Sequence, residues 1–227
     1  QDTPEAMADS VATYRDQGYG TFQLKVGEGP VVDAERIRAA RDVLEPEHVL
    51  DADFNTGLTR HEAVRTVDSI RDVDVYIEQP CRTYEECRAV RRRTDKPFVL
   101  DESIDGVGPV IRGHEEDAMD VVNLKIAKVG GLTRAQTVRD LCVELGFAMI
   151  LEDTWGSEIA TAAIAHLAHS TPPEARFATT DFHNYNAVTT ADGAPPSKRG
   201  RMAAPTEPGL GVEPREDVLG DPVATYT

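Results

Sequence analysis

Seven short apolar runs recur along the chain, over residues 21–26, 48–53, 75–80, 98–103, 121–128, 148–153 and, more weakly, 177–182. Between them apolar residues return at spacings of three and four, the mark of an amphipathic helix, over 33–44, 61–70, 84–93, 132–145 and 159–169. A further helix is expected over 2–17, entered through Thr3-Pro4. Thr59 and Thr83 stand where N-caps belong, Thr83 has Glu86 three residues on, and Gly146 stops its helix. Strict alternation of strand and helix predicts a parallel sheet, and a run such as FVLDES suits a strand buried on both faces.

Five of the runs end on a charged side chain. Lys25, Asp51, Glu78, Asp101 and Lys128 follow one another at intervals of 23 to 27 residues, about one strand, one helix and two short loops. That is the repeat of a parallel βα barrel, whose reactive groups gather at the C-terminal ends of the strands. Three carboxylates between two lysines on one rim describe a metal site flanked by two bases. The expected fold class is therefore α/β, a (β/α)8-type TIM barrel. Seven strands are counted where closure needs eight, so the barrel is expected to be incomplete, with the strand before the first helix absent. Residues 1–185 form the partial barrel, and 186–227, rich in Pro and Gly, a tail wrapping onto it.

Composition sharpens the lysines. Lys plus Arg total 24 against 40 Asp plus Glu, a net charge of −16, and only Lys25, Lys96, Lys125, Lys128 and Lys198 are lysine. So acidic a surface repels nucleic acid and anionic membranes and excludes them as partners. It suits a halophilic protein, because strong salt screens like charge. The three cysteines, Cys81, Cys87 and Cys142, form no metal-ligand pattern. With no signal peptide and no membrane-spanning run, they point to a reducing cytoplasm. No sequence feature near Cys81 identifies a base that would make it a nucleophile.

The segments QLKVG (Gln23 to Gly27), LDAD (Leu50 to Asp53), IEQP (Ile77 to Pro80), DES (Asp101 to Ser103) and KIAKVGG (Lys125 to Gly131) resemble, in order, the strand-end motifs of the enolase superfamily, muconate-lactonizing and mandelate-racemase-like branch. YIEQPCRTYEEC and EDTWGSEIATAAIAHLAHS further resemble the members that act on proline derivatives, cis-3-hydroxy-L-proline dehydratases and hydroxyproline-betaine epimerases. The resemblance implies Asp51, Glu78 and Asp101 as ligands of Mg2+, with Mn2+ as a substitute, and Lys25 and Lys128 as bases on the two faces of one substrate carbon. It implies abstraction of the α-proton of a carboxylate, with dehydration of cis-3-hydroxy-L-proline as the leading reaction and a racemase, epimerase or cycloisomerase as the alternative. Burial beside the metal is expected to lower the lysine pKa values towards the working pH. A competing expectation is a truncated, catalytically silent metal-binding chain, since nothing here resembles the N-terminal capping domain of that superfamily.

Several neighbours compete for these roles. Asp51 and Asp53 share a face by period two, and only the resemblance favours Asp51. Likewise it selects Asp101 over Glu102 and Lys128 over Lys125, leaving Asp53, Glu102 and Lys125 as supporting groups. Gln23 stands where the branch commonly has a further lysine, which removes a positive neighbour of Lys25. Asp153 and Trp155 suit a substrate ammonium by ion pairing and cation–π attraction, against the alternative that Asp153 caps a helix and Trp155 packs under the tail. His166 and His169 are expected to be packing or surface residues, whereas His183 and Asn184 could reach the rim. The expected partner is a small carboxylate, a cyclic amino acid, with self-association into a homo-oligomer left open.

Overall fold

The computed structural model describes residues 1–225. Helix α1 (Pro4–Asp16) leads into β1 (Thr21–Lys25), and the chain then alternates α2 (Pro30–Asp42), β2 (Val49–Asp53), α3 (Arg60–Ser69), β3 (Tyr76–Glu78), α4 (Tyr84–Arg91), β4 (Phe98–Leu100), α5 (Val107–Glu115) and β5 (Val121–Lys125). After the one-turn α6 (Ile126–Val129) come α7 (Leu132–Leu145), β6 (Ala148–Glu152), α8 (Glu158–His169) and β7 (Arg176–Thr179). These seven strands pair in parallel with their neighbours, in the order β1 to β7. The architecture is an incomplete (β/α) barrel: β1 pairs only with β2, and β7 only with β6.

The boundary signals work as local chemistry. Thr3 accepts from the Ala6 amide at the start of α1, with Pro4 in its first turn, where a proline costs no hydrogen bond. Capping boxes close the N-termini of α3 through Thr59 and Glu62 and of α4 through Thr83 and Glu86. Gly146 ends α7 in the left-handed conformation. At Gly27, just past Lys25, φ is +106° and a Cβ would stand 2.5 Å from the Phe54 carbonyl oxygen, so only glycine lets the β1–α2 loop lie against the end of β2. The buried Asp33 carboxylate then accepts from the amides of Gly27, Glu28 and Gly29 at 3.1, 3.1 and 2.9 Å, fixing the loop that follows Lys25.

One apolar core runs between the strands and the surrounding helices, with Ile37, Ile70, Ile77, Leu100, Leu124, Met149 and Ile164 all shielded from solvent. Each such side chain contributes roughly 1.5–3 kcal/mol by leaving water. Phe98, Val99 and Leu100 of β4 are wholly buried, as a parallel strand covered on both faces requires.

Beyond β7, the tail lies on α8 and across the gap between β7 and β1. Thr190 donates to Glu158, Asn186 donates to the Gly156 carbonyl at 2.9 Å, and His166 Nε2 meets the Leu210 carbonyl at 3.1 Å. A Cβ at Gly200 would meet the Gly18 carbonyl oxygen at 2.5 Å, so this turn packs backbone to backbone beside Tyr19. The tail's last two positions, 226 and 227, lie outside the described residues. No helix among the described residues is long and apolar enough to cross a membrane.

Candidate active site

Period two along β1 turns Phe22 and Leu24 into the core and Gln23 and Lys25 to the barrel's inner side. The same rule applied to β2 places Asp51 and Asp53 together. In register, Asp53 lies opposite Lys25 on one side and Glu78 on the other, and Glu78 is opposite Val99, two residues before Asp101. Asp51, Asp53, Glu78 and Asp101 are all buried, at most 1% exposed.

The two aspartates of β2 separate cleanly by their partners. Asp53 bonds Lys25 Nζ and accepts from the backbone and side-chain nitrogens of Asn55 at 2.8 and 3.0 Å. Both oxygens of Asp51 are buried with no hydrogen-bond partner. Asp51 lies against Glu78, close enough that protonation of one would let it donate to the other. Desolvation, with the Asp53 charge adding to it, pushes Asp51 up to about 7. Desolvation and the charges of Asp51 and Asp53 hold Glu78 well above the usual carboxylate range. Glu78 is gripped by two amides, Gln23 Nε2 on one oxygen at 2.8 Å and Asn123 Nδ2 on the other at 2.7 Å.

Asp101 is held differently. Lys125 Nζ donates to its Oδ2 and Lys128 Nζ to its Oδ1, each at 2.6 Å, and Lys128 also bonds the Asp101 carbonyl. Lys125 reaches Glu152 as well, at 3.3 Å. Glu102 is partly sheltered, and burial, with the neighbouring Asp101 charge, raises its pKa. Among the described residues no three His, Cys, Asp or Glu side chains form a ready metal cage, and the Asp101 carboxylate is paired with two ammonium groups. The donor set nonetheless fits a hard divalent cation: an unpartnered, buried Asp51 carboxylate beside Glu78 is the oxygen chemistry Mg2+ takes, and a costly arrangement without a positive charge nearby.

The lysines depart from expectation in two respects. Lys128 does not end a strand, because β5 stops at Lys125 and the chain turns into α6, closed by left-handed Gly130. Burial pulls the Lys25 ammonium down, but the charges of Asp53, Glu78 and Glu152 and the hydrogen bond to Asp53 outweigh it, so its pKa is raised rather than lowered.

Asp153 Oδ1 accepts from the Thr154 amide at 2.7 Å and from the Ala127 amide at 3.2 Å. The second contact ties it to the turn one residue before Lys128. Trp155 is 65% exposed and stands near Phe182 and Tyr185, with ring centroids at 5.6 and 6.4 Å. Both residues line the mouth of a cleft of about 760 Å³, whose walls include Lys25, Asp51, Asp101, Lys128 and Glu152. His166 contacts the tail; His183 is half-buried, its backbone amide donating to Thr161 at 3.3 Å.

Three further residues belong to the cluster, and one of them, Glu152, ends β6. Asn123 donates to both Glu78 and Glu152, at 2.7 and 2.8 Å. Glu152, 6% exposed, also accepts from Thr180 Oγ1 at 2.9 Å. Gln79 is wholly buried between the ends of β3 and β4. A polar Asn123 two residues before Lys125 in an otherwise apolar run is the signal that would have found the first.

Comparison with known proteins matches residues 6–218 to a family model described as enolase C-terminal domain-like. A cis-3-hydroxy-L-proline dehydratase from Roseibium aggregatum is 56% identical over all 227 residues of this chain, which span 62% of that relative's length. A mandelate racemase/muconate lactonizing enzyme from Roseovarius nubinhibens ISM superposes with a TM-score of 0.92 at 42% identity, over 96% of this chain and 59% of that one. A member of the enolase superfamily from the same organism, solved in complex with magnesium, gives 0.93 at 36% identity, over 100% of this chain and 62% of that one.

Proposed function

This chain belongs to the enolase C-terminal domain-like family, and on that premise we propose that it carries the reaction centre of a Mg2+-dependent enzyme that removes the α-proton of a cyclic amino acid. Dehydration of cis-3-hydroxy-L-proline is the reaction the 56% identical relative supports. One observation carries the proposal: a buried, unpartnered Asp51 carboxylate lies against Glu78, with Lys25 at the end of β1 and Lys128 just past β5 reaching the same cleft.

Asp51, Glu78 and Asp101 would hold the ion. Mg2+ bound there would stabilise the negative charge that builds on the substrate carboxylate and would offset the carboxylates that keep Lys25 protonated. The chain's own residues do the rest. One lysine, as free amine, takes the α-proton; the other, as ammonium, gives a proton to the departing β-hydroxyl, which leaves as water. The enamine left behind tautomerises to the cyclic imine. Asp153 and Trp155 stand at the mouth, where an ammonium and an aromatic-facing ring would lie, and Asp153 also braces the turn that carries Lys128.

In deuterium oxide, the folded, Mg2+-saturated protein incubated with cis-3-hydroxy-L-proline should show loss of the α-proton signal and growth of the cyclic imine by NMR. Mg2+ binding without exchange at the α-carbon of this or any proline derivative would overturn the proposal.

A further inference from the structure

Gln79 takes no part in the chemistry above, yet it touches the strand ends that carry all three carboxylates. It is wholly buried and holds a φ of 33°, although Pro80 follows and favours an extended conformation in the residue before it. Asn55 and Thr56, at the same rim, also have positive φ, 43° and 63°. Non-glycine residues stay in such conformations only where the surroundings over-determine them, and they cluster at functional sites. The Gln79 amide donates to the Val99 carbonyl in β4 at 3.0 Å, and its carbonyl accepts from Thr56 past β2 at 2.9 Å.

Its side chain completes the link. Oε1 accepts from the amides of Asp101 and Ser103 at 3.0 and 3.3 Å. Nε2 donates to Ser103 Oγ at 2.8 Å and to the Cys81 carbonyl at 3.1 Å, with Cys87 Sγ at 3.4 Å. Acceptor and donor ends each face matching partners, so a flipped amide would lose them. We propose that Gln79 is a positioning residue that fixes the Asp101 backbone against Glu78, so that the two carboxylates keep the separation a shared divalent cation needs. This rests on the metal reading above.

Two readouts test it on the whole chain. In Gln79→Leu, hydrogen exchange at the Asp101 and Ser103 amides should speed up at least about tenfold, while the Phe98 amide, which donates to Asp120 at 2.7 Å, keeps its protection. Mg2+ affinity by calorimetry should fall by about 10- to 100-fold in the folded variant, the range for groups that orient metal ligands. A merely structural role would lower the melting temperature and leave the affinity of the folded protein alone, and that result overturns the proposal. If Gln79→Leu does not fold, Ser103→Ala carries the test: faster exchange at Asp101 and a several-fold weaker Mg2+ affinity support it, and unchanged values overturn it. Should the wild-type chain take up no Mg2+, the metal reading falls, and exchange at Asp101 decides by itself whether Gln79 holds that backbone.

Discussion

The inner face of the barrel differs sharply between its closed arc, β2 to β5, and the seam where β1 and β7 fail to meet. On the arc, Asp51, Asp53, Glu78 and Asp101 are at most 1% exposed. One strand over, on the same face, Lys25 keeps 47% of its side chain in solvent. Every strand of the arc has a hydrogen-bonded neighbour on both sides, whereas β1 has one. Burial of charge therefore follows the completeness of the wall rather than the residue type. Where a strand is lacking, side chains span the gap: Tyr19 Oη donates to Asp181 at 3.0 Å, meets Ser197 at 3.3 Å, and Asn184 bonds Asp181.

The strongest way to break this contrast is to remove the anion shared by two arc lysines. Asp101→Ala leaves the Lys128 ammonium, 21% exposed, without its carboxylate and with only the backbone carbonyl of residue 101, and breaking a sheltered pair of this kind costs about 3 kcal/mol or more. Urea unfolding should show that loss, and adding Lys128→Met should recover part of it. A smaller effect is expected at Asn123, whose replacement by Leu strips one donor from each of two buried carboxylates. The cost should be about 1–3 kcal/mol, and a loss below about 0.5 kcal/mol in the same assay would show that the amide bridge is unimportant.

The seam should give least. Tyr19→Phe removes the partly exposed hydroxyl that bonds Asp181 and Ser197, about 0.5–1.5 kcal/mol for each hydrogen bond lost. Burial, eased by Ser197 and reinforced by Asp181, raises the Tyr19 phenol above its ordinary value of 10.0. A phenol raised in the folded state contributes stability that is fully present below about pH 10 and is lost as pH rises through its folded value. Wild type should therefore lose stability above pH 10 more steeply than Tyr19→Phe. Parallel denaturation curves for the two would show that the clasp contributes nothing.

Much of this contrast was legible before any coordinates. Strand-end positions follow from period two and from the steady βα interval, so Lys25, Asp51 and Glu78 fall on the strands where the pattern puts them, and Asp101 one residue past β4. Lys128 escaped because a single helical turn, closed by Gly130, takes over after Lys125, and a one-turn helix leaves no periodicity to detect. Helix α5 contains Gly108, Pro109 and Gly113, residues of low helix propensity that blur its pattern. Asn123, Glu152 and Gln79 act through partners on neighbouring strands, and a contact across a sheet has no local signal. The upward shift at Lys25 depends on three carboxylates converging from three strands, which only the folded arrangement reveals.

On the proposed function, Mg2+ binds the arc and not the seam. Isothermal titration of Mg2+ into the wild-type chain, Asp51→Asn and Tyr19→Phe tests it most directly. One site per chain is expected, weakened at least about 100-fold in Asp51→Asn, in line with loss of a ligand or its support, and unchanged in Tyr19→Phe. Equal Mg2+ affinity in wild type and Asp51→Asn, or binding abolished by the seam variant alone, would contradict it.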